Sequence, residues 1–123
     1  MTAILFDKDL DPTPLVATVM EKTREGRLKW EATAMENVFI ASVGGGTTLR
    51  IFLSSEDTLD NYGQPETTQV PELRLLDEKG KMLWEIHSYQ IKGGLWPLFN
   101  LSQRVANKLD ERMASLMETL QNL

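Results

Sequence analysis

The middle of the chain, residues 70–91, alternates between apolar and polar positions on both sides of a short turn. A period of two residues is typical of strands that bury one face. The turn is Asp77-Glu78-Lys79-Gly80, with Asp and Gly where a type I turn prefers them. We therefore predict a β-hairpin. A four-residue loop places five apolar residues on its buried face: Leu73, Leu75, Met82, Trp84 and Ile86. A three-residue loop with a bulge at Gly80 would instead group Leu76 with the last three.

A helix is predicted over residues 13–25. Thr13 is expected as its N-cap, Pro14 as its first helical residue and Gly26 as its C-cap. The apolar residues inside it are spaced by one, three and four positions and form one stripe: Leu15, Val16, Val19 and Met20. Before this helix, residues 2–6 are expected to form a short edge strand or an arm that docks on the core.

Three strand-like runs follow the helix. Residues 27–32 alternate, with Leu28, Trp30 and Ala32 on the buried side. Residues 38–43 and 47–54 flank three consecutive glycines, and a glycine-rich turn between two such runs predicts another hairpin. Residues 54–69 show no periodic pattern, so we expect a long irregular loop there.

The C-terminal residues from Leu98 to Leu123 carry apolar side chains at every third or fourth position. This spacing predicts a single amphipathic helix of roughly 24 residues, about 36 Å long. A five-residue strand is only about 17 Å long, so this helix should extend beyond its own sheet. The protruding apolar positions need a partner, and a second copy of the chain is the simplest one. They are Met113, Leu116, Met117, Leu120 and Leu123.

These elements predict an α+β fold. One meandering antiparallel sheet of about five strands is flanked by an N-terminal helix and a long C-terminal helix. The 123 residues are expected to form a single domain, because this length is enough to bury a core. An apolar fraction of 41% and a charged fraction of 25% are ordinary for a soluble globular protein.

Composition argues against several classes of function. The absence of cysteine removes disulfides, thiolate catalysis and thiolate metal sites. No apolar run approaches the roughly 20 residues of a membrane helix, and residues 1–7 do not resemble a signal peptide, so a cytoplasmic location is expected. The net charge is -5, and residues 54–69 hold four acidic residues and no basic one. The sequence shows no basic stripe for a nucleic-acid backbone, and no cofactor is expected.

Three patterns resemble catalytic or binding motifs without matching one. The glycines at 44–46 precede a strand, whereas phosphate-binding glycine loops open a helix. His87 is the only histidine, which is a poor basis for a metal site, and Ser88 beside it should point to the other face of the strand. Asp57 and Asp60 belong to an acidic stretch that we interpret as solvated. A hydrolase using these two aspartates and His87 is therefore the weakest of three functional hypotheses.

A small-ligand site is the second hypothesis. Trp30, Trp84 and Trp96 would line a pocket between the sheet and the C-terminal helix. Arg50 or Arg74 would hold an anionic group of the ligand. These arginines could instead pair with Glu31, Glu72 or Glu85 across neighbouring strands, which the strand pattern favours.

One run of residues resembles a family. Thr23-x-x-Gly26-x-Leu28-x-Trp30, then a hairpin, then Leu73-x-Leu75-x-Asp77-x-x-Gly80-Lys81, is similar to small uncharacterised bacterial and phage-encoded domains. Their pattern is a helix, T-x-x-G-x-L-x-W, an antiparallel sheet and a second helix. The similarity spans about residues 13–101 and concerns structural positions. It implies this fold and a prokaryotic or phage origin, and it provides no catalytic residue to transfer.

The first hypothesis is a non-enzymatic interaction or regulatory module that forms a homodimer through its C-terminal helix. It follows from the protruding apolar stripe and from the absence of a recognisable catalytic motif in the sequence. A protein partner other than a second copy is also compatible with such a module.

Overall fold

A computed structural model describes residues 10–123. The described chain folds into five strands and three α-helices, with a short 3-10 turn at Ser88–Gln90 before the second helix. In chain order the elements are α1 (Thr13–Arg24), β1 (Glu31–Ala32), β2 (Val38–Gly44), β3 (Thr47–Leu59), β4 (Pro65–Leu76), β5 (Met82–His87), α2 (Trp96–Ala106) and α3 (Leu109–Gln121). The strand or arm predicted at residues 2–6 lies outside the described residues.

The sheet confirms the predicted antiparallel meander. Its five strands are hydrogen-bonded in the order β1-β2-β3-β4-β5, so each strand pairs with its neighbour in sequence. One face carries the core, where Ile51, Leu73 and Ile86 are fully buried against side chains of α1 and α2. Since side chains alternate along a strand, the residues between them point to the other side of the sheet. We call that side the open face, because both core-packing helices lie on the opposite side.

The central hairpin does not have the register of the four-residue loop, because Leu76 pairs with Met82 beside the turn, as the three-residue loop predicts. Leu73 pairs with Ile86 and Leu75 with Trp84, so these four side chains share the core face as predicted. The turn is held by Asp77, whose carboxylate accepts hydrogen bonds from two backbone N–H groups of the turn at 2.9 and 2.8 Å. Met82 is the exception to the prediction. The register shifts between Leu75 and the next residue, and the bulge leaves Met82 49% exposed.

Residues 54–69 are not an irregular loop. They belong to β3 and β4, which extend beyond the rest of the sheet as a two-stranded ribbon closed by a turn at residues 60–64. The carboxylate of Asp60 accepts the N–H groups of Tyr62 and Gln64 at 2.8 and 2.9 Å, which closes the turn. Most residues of the ribbon are exposed, so neither side requires apolar residues. That is why the period of two is missing from the sequence.

Helix α1 has the predicted extent and C-terminus, but a different N-cap. Pro12 occupies the N-cap position, and the Asp11 carboxylate accepts the N–H of Thr13 at 2.9 Å. Gly26 follows the helix with φ of +77°, the left-handed conformation that glycine adopts without strain. The strand predicted at residues 27–32 is reduced to β1, because only its last two residues pair with β2.

The predicted C-terminal helix is two helices. Lys108 adopts a left-handed conformation, φ +52° and ψ +43°, and this residue separates α2 from α3. Such a conformation costs a residue with a Cβ atom roughly 1–2 kcal/mol. The Arg104 guanidinium donates two hydrogen bonds to Asp110 across the break, at 2.9 and 2.7 Å. Among residues 10–123, no helix combines the length and apolarity needed to cross a bilayer.

Candidate functional site

The open face carries two rows of side chains that run across neighbouring strands. In the first row, Arg50 of β3 lies opposite Arg74 of β4, which lies opposite Glu85 of β5. In the second row, Phe52 lies opposite Glu72, and Glu72 lies opposite His87. The hairpin registers therefore bring polar and charged residues from three strands onto one surface.

Three of these residues form a compact polar cluster with Arg74. Arg74 Nε lies 2.6 Å from Glu85 Oε2. The imidazole of His87 lies between two carboxylates, with Nδ1 3.2 Å from Glu72 Oε1 and Nε2 3.4 Å from Glu85 Oε1. Only 10% of the Glu72 side chain is exposed, against 22% for Glu85 and 33% for His87. We call Glu72, Glu85 and His87 the open-face cluster.

Aromatic rings support the charged side chains of this face. The guanidinium carbon of Arg74 lies 4.6 Å from the centre of the Phe52 ring, and that of Arg50 lies 5.7 Å from it. The Tyr89 ring stacks on the His87 ring, with 5.3 Å between centroids and an interplanar angle of 5°. Both contacts restrict the rotamers of the polar groups and so hold the open-face cluster in place.

Arg50 and Arg74 differ in whether a carboxylate pairs with them. Arg74 pairs with Glu85, as the cross-strand alternative predicted. Within residues 10–123, Arg50 has no carboxylate within 4 Å, and its guanidinium lies beside the Phe52 ring and the Met35 sulfur. Arg50 also lines a shallow basin of about 460 Å³ on the open face, which includes Ile40 and Leu76.

The five residues expected to line a ligand pocket do not meet in one cavity. Trp30 is 2% exposed, and its indole N–H donates to the hydroxyl of Thr23 at 3.1 Å. Trp84 borders a cavity of about 450 Å³ beside α1, not between the sheet and the C-terminal helices. Trp96 is 42% exposed on α2. Arg50 and Arg74 point to the open face, on the other side of the sheet from Trp84, because side chains alternate along each strand.

The residues of the hydrolase hypothesis are dispersed. Asp57 accepts a hydrogen bond from Thr67 on the ribbon at 3.2 Å, and Asp60 closes the ribbon turn. His87 lies in the open-face cluster instead. The hydroxyl of Ser88 is buried and accepts the N–H of Leu95 at 2.8 Å, so it serves the turn before α2. The glycines at 44–46 close the hairpin between β2 and β3.

Helix α3 presents a continuous apolar surface. It has no buried residue, and its large apolar side chains are about half exposed. Their exposed fractions are 46% for Leu109, 51% for Met113, 52% for Leu116, 51% for Met117 and 52% for Leu120. Leu123, just beyond the helix, is 94% exposed. We call the first five residues the α3 stripe; it includes four of the five positions predicted for self-association.

The sequence analysis missed Glu72 as a neighbour of His87. The predicted alternation places Glu72 and His87 on the same face, but the four-residue loop would pair Glu72 with Glu85. The register shift between Leu75 and Leu76 brings Glu72 opposite His87 and Arg74 opposite Glu85. The available signal was the division into faces, which groups Glu72, Glu85 and His87 on the side of the sheet away from the core.

Comparison with known proteins adds no assignment to this geometry. The chain matches no protein-family model, no curated protein and no solved structure. The resemblance to bacterial and phage domains therefore stays a prediction, and function has to be argued from the two surfaces themselves.

Proposed function

We propose that this chain is a self-associating interaction module, and that two copies pair through the α3 stripe. The observation that supports the proposal is that α3 buries none of its residues while its stripe stays half exposed. A helix of this length is marginal in water when nothing packs on it. Residues 10–123 leave the apolar face of α3 uncovered, and a second copy of the chain would cover it.

Four residues of the stripe, together with Leu123 beyond the helix, have a spacing that fits a helix as the partner. Leu109, Met113, Leu116, Leu120 and Leu123 follow one another at four, three, four and three positions. This is the heptad spacing with which helices pack side by side. Because each copy offers the same apolar seam, a second copy is complementary without further requirements.

The area of the stripe sets the strength that we expect. Its half-exposed side chains offer on the order of 500 Å² per copy, against roughly 800 Å² per partner in a standard interface. Covering the exposed half of one such side chain contributes about 1 kcal/mol. Association also costs translational and rotational freedom. A reversible, concentration-dependent dimer is the expected result.

The proposed role is assembly or regulation and does not include catalysis. The net charge of -5 makes a protein surface a better partner than a nucleic acid. A cytoplasmic setting in a bacterium or a phage-infected cell is part of the proposal. It rests on the resemblance of residues 13–101 and on the composition.

Sedimentation velocity over a range of concentrations tests the proposal. We expect the parent chain to move from monomer to dimer as its concentration rises. Leu116→Asp should shift this transition to at least 10-fold higher concentration, because each copy would place a carboxylate in the apolar seam. Ser115→Asp is the matched control, since it adds the same charge one residue away and outside the stripe. It should leave the transition within a factor of about three.

Two outcomes would contradict the proposal. One is a parent chain that stays monomeric at the highest concentration reached. The other is a dimer whose dissociation constant changes equally for the Leu116 and Ser115 variants. Circular dichroism of each variant establishes that the sheet remains folded. Leu120→Asp provides a second test at the other end of the stripe.

A further inference from the structure

We infer that the open-face cluster is a binding site for a divalent transition-metal ion, and Zn²⁺ is the ion that its ligands suit best. Glu72, Glu85 and His87 each offer a ligand atom, and these atoms all lie within 4.8 Å of one another. This site lies on the sheet and is independent of the α3 stripe.

The distances within the cluster match zinc coordination. With ligand bonds of 2.0–2.1 Å, two ligands of a tetrahedral zinc ion are roughly 3.3 Å apart. A zinc ion binds one nitrogen of an imidazole, and each nitrogen of His87 has one carboxylate oxygen near this spacing: Nδ1 lies 3.2 Å from Glu72, and Nε2 lies 3.4 Å from Glu85. The two other separations in the site are at most 4.8 Å, which exceeds that spacing by about 1.5 Å, and rotation of a glutamate carboxylate or the imidazole covers this difference.

The charges around His87 favour a bound cation. Carboxylate oxygens only accept hydrogen bonds, and a neutral imidazole has a single N–H, so it can satisfy only one of its two carboxylate neighbours. Glu85 is already paired with Arg74. Glu72 is nine-tenths buried, and within residues 10–123 no Lys or Arg lies within 4 Å of it. A buried carboxylate requires a positive partner, which a metal ion on the ring provides.

The surroundings hold the ligands in place. Glu72 and His87 are directly opposite each other on paired strands, which fixes the separation of their backbones. The Tyr89 ring stacks on the imidazole, and Arg74 holds the second oxygen of Glu85 at 2.6 Å. Contacts of this kind orient ligands in known metal sites.

The ligand set selects the ion. One imidazole and two carboxylates, with no thiolate, suit Zn²⁺. Ca²⁺ takes six to eight oxygen ligands, and Mg²⁺ requires a nearly ideal octahedron, so neither matches three ligands that include a nitrogen. Three protein ligands leave one position of the tetrahedron for water or for a ligand from solution. The partial exposure of His87 and Glu85 gives that position access to solvent.

Isothermal titration of the chelator-treated full chain with ZnCl₂, in a buffer with excess Mg²⁺, tests the inference. We expect saturable binding of one Zn²⁺ per chain. His87→Ala, Glu72→Gln and Glu85→Gln should each weaken binding by at least 10-fold. Glu66→Gln is the matched control. It makes the same chemical change outside the cluster, because Glu66 is exposed on the ribbon. It should bind Zn²⁺ like the parent.

A second readout is the visible spectrum of the Co²⁺-loaded chain. Intense absorption bands indicate a four-coordinate site, and they should disappear in the His87→Ala variant while circular dichroism shows that the sheet is intact. The inference is overturned if the parent shows no saturable Zn²⁺ binding below 1 mM. It is also overturned if His87→Ala binds as tightly as the parent, or if Glu66→Gln weakens binding as much as Glu72→Gln does. None of these results bears on dimerisation.

Discussion

The hydrogen bond between Trp30 and Thr23 explains two positions of the T-x-x-G-x-L-x-W run, and it gives a sharp test of the packing. The indole N–H donates to the Thr23 hydroxyl at 3.1 Å, and that hydroxyl donates to the carbonyl of Val19 at 2.7 Å. Both side chains are at most 3% exposed. The pair joins the end of α1 to the segment that leads into β1.

Thr23→Val keeps the shape of the side chain and replaces the hydroxyl by a methyl group. The Trp30 N–H is then buried without an acceptor, which costs about 1–3 kcal/mol of unfolding free energy. Threonine and valine have similar helix propensities, so the helix itself contributes little to this change. Trp30→Phe removes the N–H instead. In that background, Thr23→Val leaves no unpaired indole and should cost about 1 kcal/mol less than in the parent.

Urea denaturation of the parent, both single variants and the double variant gives the coupling energy. Circular dichroism is the appropriate probe because it does not depend on the tryptophan that is replaced. The reasoning is refuted if Thr23→Val costs the same in both backgrounds to within about 0.5 kcal/mol. Additivity of that kind would mean that the indole N–H and the hydroxyl do not interact in solution.

Two further predictions concern stability. Leu73→Ala should cost about 2–5 kcal/mol, because Leu73 is fully buried at the centre of the sheet. The control Leu59→Ala, 69% exposed on the ribbon, should stay within about 0.5 kcal/mol of the parent in the same urea experiment. The hydrogen bond from Thr13 N–H lowers the pKa of the Asp11 carboxyl in the folded chain. This group stabilises the fold above its ordinary pKa and loses that contribution as the pH falls through the lowered value, so Asp11→Asn should flatten the acid side of a plot of melting temperature against pH.

The sequence predicted the parts of the fold in which one face is buried. The alternation of apolar residues correctly predicted that Leu73, Leu75, Trp84 and Ile86 share the core face, although their pairing across the hairpin differs from the predicted register. Gly26 marks the end of α1 for a similarly local reason, since it adopts φ of +77° there. In both cases the requirement is local: a buried strand face needs apolar side chains at every second position, and a positive φ favours glycine.

The errors have a shared cause, which is that local pattern does not report what lies outside an element. The ribbon was missed because an exposed two-stranded hairpin needs no apolar face. The break at Lys108 was missed because the apolar spacing continues through it from α2 into α3. The supposed ligand pocket failed because Trp84 and Arg74 lie on opposite faces of the sheet, a distinction that a list of residue types does not contain.

The α3 stripe and the open-face cluster are not needed to form the core, so folding alone does not explain why the sequence has them. The core lies between one face of the sheet and the helices α1 and α2, whereas the α3 stripe extends beyond it and the open-face cluster lies on the other side of the sheet. Selection for folding alone does not account for a heptad-spaced apolar helix that buries nothing, or for a nearly buried glutamate opposite the only histidine. Because the stripe and the cluster belong to different elements, Leu116→Asp should change association without changing Zn²⁺ binding, and His87→Ala should do the reverse. If either substitution altered both properties, the dimer and the metal site would have to be parts of one interface.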